Sequence, residues 1–199
     1  MKAVICLMFA CVLTASTAQA QAPAAQGGQQ IPLSEGLRRS YNTIKLNLTE
    51  AAQKFGEADY SYRLSPDIRV FGGQLAHVAN SRFNACAAAR GEKNPHQGMN
   101  LEQTKTTRAD IIQALADSFA FCDPVFANLT DQSALELVRQ GMNEVARAAV
   151  LSNRIAHGNE EYGISDGLPP HKGHRTAFNR ARHARTWHRA GSSARAVEF

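Results

Sequence analysis

His157 and Glu161 lie four residues apart in the segment Ile-Ala-His-Gly-Asn-Glu-Glu-Tyr-Gly, residues 155–163. On a helix that spacing sets both side chains on one face, about a turn apart. An imidazole and a carboxylate so placed can share one divalent ion. A third donor has to come from another helix, and His77, in Leu-Ala-His-Val-Ala-Asn, is the candidate. Two imidazoles and one carboxylate would leave coordination positions open for water or substrate, the arrangement of a reactive rather than a purely structural ion. The plainer reading stands beside this one. A lone helical His is commonly a half-buried polar residue, and a His–Glu pair on a surface is worth only about 0.3 kcal/mol. His77 falls on a seam with Val70, Gln74, Ser81 and Asn84, away from the apolar stripe of Phe71, Leu75, Val78, Ala79 and Cys86. That seam either lines a polar cavity between helices or faces water.

The elements that would position these residues are helical, with no segment of convincing strand alternation. The first helix is expected over residues 34–55, with Leu37, Tyr41, Ile44, Leu48 and Ala51 on one face and Ser34 as its cap. The second spans residues 68–90 and is ended by Gly91. Residues 92–106 contain Asn94-Pro95 and Gly98 without apolar periodicity, and read as a long connection. The third helix starts near Thr107, carries Ile111, Leu115, Phe119 and Cys122, and contains Pro124, which is expected to kink it. A short helix is expected from about Gln132 to Gly141, and a last long one over residues 143–162. Four long helices with a long middle connection imply an all-α four-helix bundle that is not simply up-down-up-down, because a connection of this length permits a crossover.

The ends of the chain differ from its middle. Met1-Lys2, an apolar run to about Leu13, and Ala18-Gln19-Ala20 make a secretory signal peptide over residues 1–20. The run is shorter than the ~20 residues that span a bilayer, so the mature protein is expected to have no transmembrane segment and to be periplasmic or secreted. Residues 21–32 form a flexible leader, residues 33–168 the bundle, and residues 169–199 a basic, His-rich tail with no sustained apolar period, read as disordered or marginally helical. Cleavage leaves Cys86 and Cys122, either bridged in an oxidising compartment or packed as buried free thiols.

Of the 22 Lys and Arg, seven lie in residues 171–199 against one acid, whereas residues 21–170 carry 14 bases and 16 acids. The bundle is therefore slightly acidic, and nucleic acid is not expected as a partner except through the tail. The tail itself reads in three ways: as a loose metal-binding tract, as a polyanion- or membrane-surface-binding segment, or as a frame-shifted ending.

Ser40-Tyr41-Asn42-Thr43-Ile44-Lys45, Ala58-Asp59-Tyr60-Ser61, residues 71–80 and residues 155–163 resemble the DinB-like family, in its exported branch. The resemblance covers most of the mature domain. It implies an up-down-down-up bundle with a long connection between the second and third helices, and a divalent ion, zinc or nickel, held by three histidines. Carried over, those positions are His77, His157 and the residue four further on, which here is Glu161 in place of histidine. The carboxylate implies either a site with a harder ion preference or a degenerate one. Characterised members include thiol-dependent transferases and isomerases, so the resemblance implies metal-dependent transfer or hydrolysis of an unidentified small molecule. The alternative is a non-catalytic bundle serving as a binding or structural module. A homodimer is one assembly open to it.

Overall fold

The computed structural model describes residues 28–166, so the signal peptide, most of the leader and the tail lie outside the described residues. Residues 28–30 are exposed and without regular structure, and the folded unit starts at Ile31. Its elements are α1 (Leu33–Lys54), a 3-10 turn (Glu57–Ser61), α2 (Phe71–Arg90), α3 (Leu101–Thr104), α4 (Arg108–Ala127), α5 (Asp131–Leu135), β1 (Leu137–Gln140), β2 (Asn143–Ala146) and α6 (Arg147–Asp166).

The four long helices form the bundle, and side-chain contacts at their ends fix their directions. Arg38, near the start of α1, donates from Nε to the Phe126 carbonyl (3.1 Å) and from Nη2 to the Leu129 carbonyl (3.2 Å), at the end of α4. Arg108, which opens α4, donates to the carbonyls of Phe55 and Gln53 (both 3.0 Å), at the end of α1. These two helices are therefore antiparallel. Helices α2 and α4 run parallel: Gly72 meets Ile111 near their starts, and Phe83 meets Phe121 near their ends, with ring centroids 5.5 Å apart. Arg147 at the start of α6 donates to the Ala89 carbonyl at the end of α2 (2.9 Å), so α6 is antiparallel to α2. The order is up-down-down-up, as expected, and the connection over residues 92–106 makes the crossover that two parallel neighbours require.

The core is built by the periodic positions. Tyr41, Ile44 and Leu48 of α1 are at most 1% exposed and meet Leu75 and Val78 of α2, Leu115 and Phe119 of α4, and Leu151 and Ile155 of α6. Tyr41 stacks on Phe126 with ring centroids 3.9 Å apart. Its hydroxyl donates to Asp123 Oδ1 at 2.8 Å, so a polar tip at the core edge is satisfied. Cys86 and Cys122 are bridged, with Cα atoms 5.4 Å apart, and the bond ties α2 to α4 across 36 residues of chain. In the chain-entropy account a loop of that length contributes about 3–4 kcal/mol. No helix among the described residues is long and apolar enough to cross a membrane.

Three sequence expectations need correction. Residues 137–146 are an antiparallel hairpin, not helix, with Gln140 paired to Asn143 across a two-residue loop. Gly141 opens that loop at φ 63°, a conformation a side chain disfavours, which suits a glycine-first hairpin turn. Each four-residue strand turns few apolar groups inward, Val138 and Val145 among them, so no alternation was visible. Helix α6 accordingly begins at Arg147 and continues past Tyr162 to Asp166. Ser34 does not cap α1. It lies in the first turn, and its amide donates to Asp131 Oδ1 of α5 at 2.8 Å. Thr107 does cap α4, accepting from the Asp110 amide at 3.2 Å.

Candidate metal centre

His77 stands near the middle of α2, and His157 and Glu161 stand on the facing side of α6. The antiparallel packing brings the three together. Glu161 Oε1 is 3.8 Å from His77 Nε2 and 3.5 Å from His157 Nδ1. The two imidazole centroids are 5.2 Å apart at 81°, and one donor atom from each residue falls within 4.8 Å of the others. Tetrahedral zinc, with bonds of about 2.0–2.1 Å, brings donors to about 3.3 Å of one another. The carboxylate distances are close to that spacing. The donor set is one that could hold a metal ion.

His77 is oriented by a residue that the sequence did not single out. Its Nδ1 is 2.7 Å from Glu102 Oε1. An ionised carboxylate can only accept, so the ring donates from Nδ1–H, which turns Nε2 toward Glu161. Glu102 is itself held by Arg69, whose Nε donates to Oε2 at 2.7 Å. Burial pushes the Glu102 carboxyl up, but the bonds from Arg69 and His77 outweigh it and hold the group below its ordinary value. The four-residue helix α3 delivers Glu102: Leu101 is 1% exposed and packs with Ala79, Phe83 and Ala114, and Asn100 Oδ1 accepts from the Glu102 amide at 3.0 Å. The only sequence signal was an Asn-Leu-Glu cap inside an otherwise aperiodic connection, too short to show a helical face.

The electrostatics of the cluster are poised against charge. Burial, Arg154 and His77 all lower the His157 pKa, so its ring favours the neutral form that ligates metal. Burial raises the Glu161 pKa, only partly opposed by His77 and Arg69. Beside the cluster a groove of about 390 Å³ is lined by His77, Ser81, Asn153, Arg154, His157 and Glu160. The seam of His77 and Ser81 on α2 thus borders a polar groove, the first of the two alternatives the sequence left open.

No protein-family model matches the sequence, and no curated protein matches it either. Solved structures do. A DinB-like protein from Bacillus cereus ATCC 10987 aligns with a TM-score of 0.58 at 16% identity, over 71% of this chain and 94% of its own. A DinB-like protein from Bacillus subtilis aligns with a TM-score of 0.56 at 14% identity, over 72% of this chain and 96% of its own. A conserved protein from Enterococcus faecalis gives 0.55 at 12% identity, over 68% and 94%. At such identities the likeness concerns the backbone arrangement. The chain has the fold of the DinB-like proteins.

The raised pKa of Glu161 has a consequence for the metal-free protein. A carboxyl whose pKa rises on folding binds its proton more tightly in the native state, so stability falls as pH rises from the ordinary value of 4.5 through the raised one. Glu161→Gln removes that loss. The metal-free variant should melt above the wild type at about pH 7, with the gap closing by about pH 4, as thermal melts in chelator would show. A variant that melts below the wild type at both pH values would contradict the assignment.

Proposed function

We propose that the protein is exported and holds one divalent metal ion, zinc or nickel, on His77, His157 and Glu161, for metal-dependent transfer or hydrolysis of a small molecule. The observation that carries this reading is the convergence of the three donors from two helices beside an open groove, with His77 already turned by Glu102. When bound, such an ion lowers the pKa of a water or thiol in its open position and so supplies a nucleophile near neutral pH. The chain's own contribution is positional. Glu102 fixes the His77 tautomer, Arg69 fixes Glu102, and burial keeps His157 unprotonated. The groove gives a small molecule access to the donors.

Metal analysis of the mature protein after incubation with zinc or nickel should find one equivalent. His157→Ala should lose it. Glu102→Gln should keep the stoichiometry but weaken affinity by about tenfold to a hundredfold, the usual scale for such outer partners. Absence of stoichiometric metal in the wild type would sink the reading. The glutamate at position 161, where the resemblance expects histidine, favours a rival: a degenerate site in a non-catalytic bundle. The rival expects His157→Ala to leave metal content and melting temperature unchanged.

Export is supported by the N-terminal pattern of residues 1–20 and by the Cys86–Cys122 bond, which suits an oxidising compartment. The intact mass of protein recovered outside the cytoplasm should correspond to a chain starting at Gln21 and lighter by two hydrogens. A cell-retained chain still carrying Met1 would refute export.

A further inference from the structure

Arg154 lies three residues before His157, one turn away on the same side of α6, and lines the groove beside the metal ligands. It is half-buried, and its Nε is sealed from solvent without a hydrogen-bond partner among the described residues. No ion pair engages its guanidinium among them either. This contrasts with Arg38, Arg69, Arg108 and Arg147, each of which spends its donors on carbonyls or carboxylates. Leaving that buried N–H without an acceptor costs stability, because a desolvated donor goes unpaired. Burial does lower the Arg154 pKa, opposed by the charge of Glu161.

The charges around the groove give that cost a purpose. With His77 and His157 neutral and Glu161 ionised, a bound divalent ion leaves the three-ligand centre with a net positive charge. Arg154 adds a second positive charge one turn away. The carboxylate of Glu102 is taken up by Arg69 and His77. Glu160 stands at the rim, largely exposed and 3.8 Å from His157 Nδ1, where water screens it. Ser81 and Asn153 add neutral hydrogen-bonding groups to the lining.

We infer that Arg154 is the anion-recognition residue of this site: the groove takes a small molecule bearing a carboxylate or similar anionic group, which the guanidinium binds while a second donor of the same molecule fills an open metal position. The inference rests on the metal reading above and specifies its substrate class. A planar guanidinium binds a carboxylate through two parallel bonds, so Arg154 would set the orientation of the molecule as well as its charge.

The test separates failure of this inference from failure of the metal reading. The mature protein is loaded with cobalt(II), whose visible bands report coordination at the site. It is then titrated with 4-methylimidazole and with imidazole-4-acetate, which share a nitrogen donor and differ in the carboxylate. The wild type should bind imidazole-4-acetate about tenfold more tightly, the gain expected of one charge-assisted pair. Arg154→Gln should reduce that preference to near unity without changing the cobalt bands or the affinity for 4-methylimidazole. Arg154→Lys should restore part of it. A preference that is the same in wild type and Arg154→Gln overturns the inference, since chelation by the probe alone would then explain it. Equal binding of both probes by the wild type overturns it as well. A protein that develops no cobalt bands overturns the metal reading and this one together.

Discussion

Helix α6 passes close to α1 and α2 at Gly158, beside two of the candidate ligands. A Cβ placed there would lie 3.1 Å from Ile44 Cγ1 and 3.4 Å from Arg82 Nη2, so a side chain would require these neighbours to give by a few tenths of an ångström. Glycine in a helix interior costs about 1 kcal/mol relative to alanine. The close approach offsets this by bringing helix faces into contact. His157 is the neighbouring residue, and Glu161 is three residues beyond. The two ligands thus flank the point of close approach.

Arg82 is the other side of that contact. Its side chain is fully buried, with the guanidinium 4.2 Å from the centre of the Phe119 ring and 5.8 Å from that of Tyr41. Burial lowers its pKa to about 10, partly opposed by Tyr41 and Asp123. A buried cation held on aromatic faces is a weak source of stability compared with an apolar side chain of equal volume. What it does is fill the space between α1, α2, α4 and α6 at the level of Gly158. The disulfide lies nearby: Cys86 is one turn further along α2, and its bond to Cys122 locks the parallel α2–α4 pair whose crossover contains α3. Fold and site are thus joined through one connection. It completes the topology, and it delivers Glu102 to His77.

Much of this was legible in the residues. The stripe of Leu37, Tyr41, Ile44 and Leu48 has the period of a buried helix face, and those residues are the core of α1. The third helix was expected to start near Thr107, and α4 begins at Arg108 with Thr107 as its cap. The spacing of His157 and Glu161 put both on one face, and the structure brings His77 to them. What was hidden depends on contacts between segments distant in the chain. Glu102 belongs to a four-residue helix, too short for periodicity, and its role follows only from Leu101 docking against α2. The hairpin over residues 137–146 has short strands with little inward apolar pattern, so local sequence carried no period of two. Arg154 carries no motif or spacing in the sequence; its place in the groove lining and its buried Nε set it apart.

The central claim is that two imidazoles and one carboxylate of the bundle form a metal centre, with glutamate taking the place of a third histidine. X-ray absorption on the mature full-length protein loaded with one equivalent of zinc tests it most directly. The account predicts scattering from two imidazoles and from oxygen, with first-shell distances of about 2.0–2.2 Å. A first shell with three or more imidazoles, or with none, would contradict it.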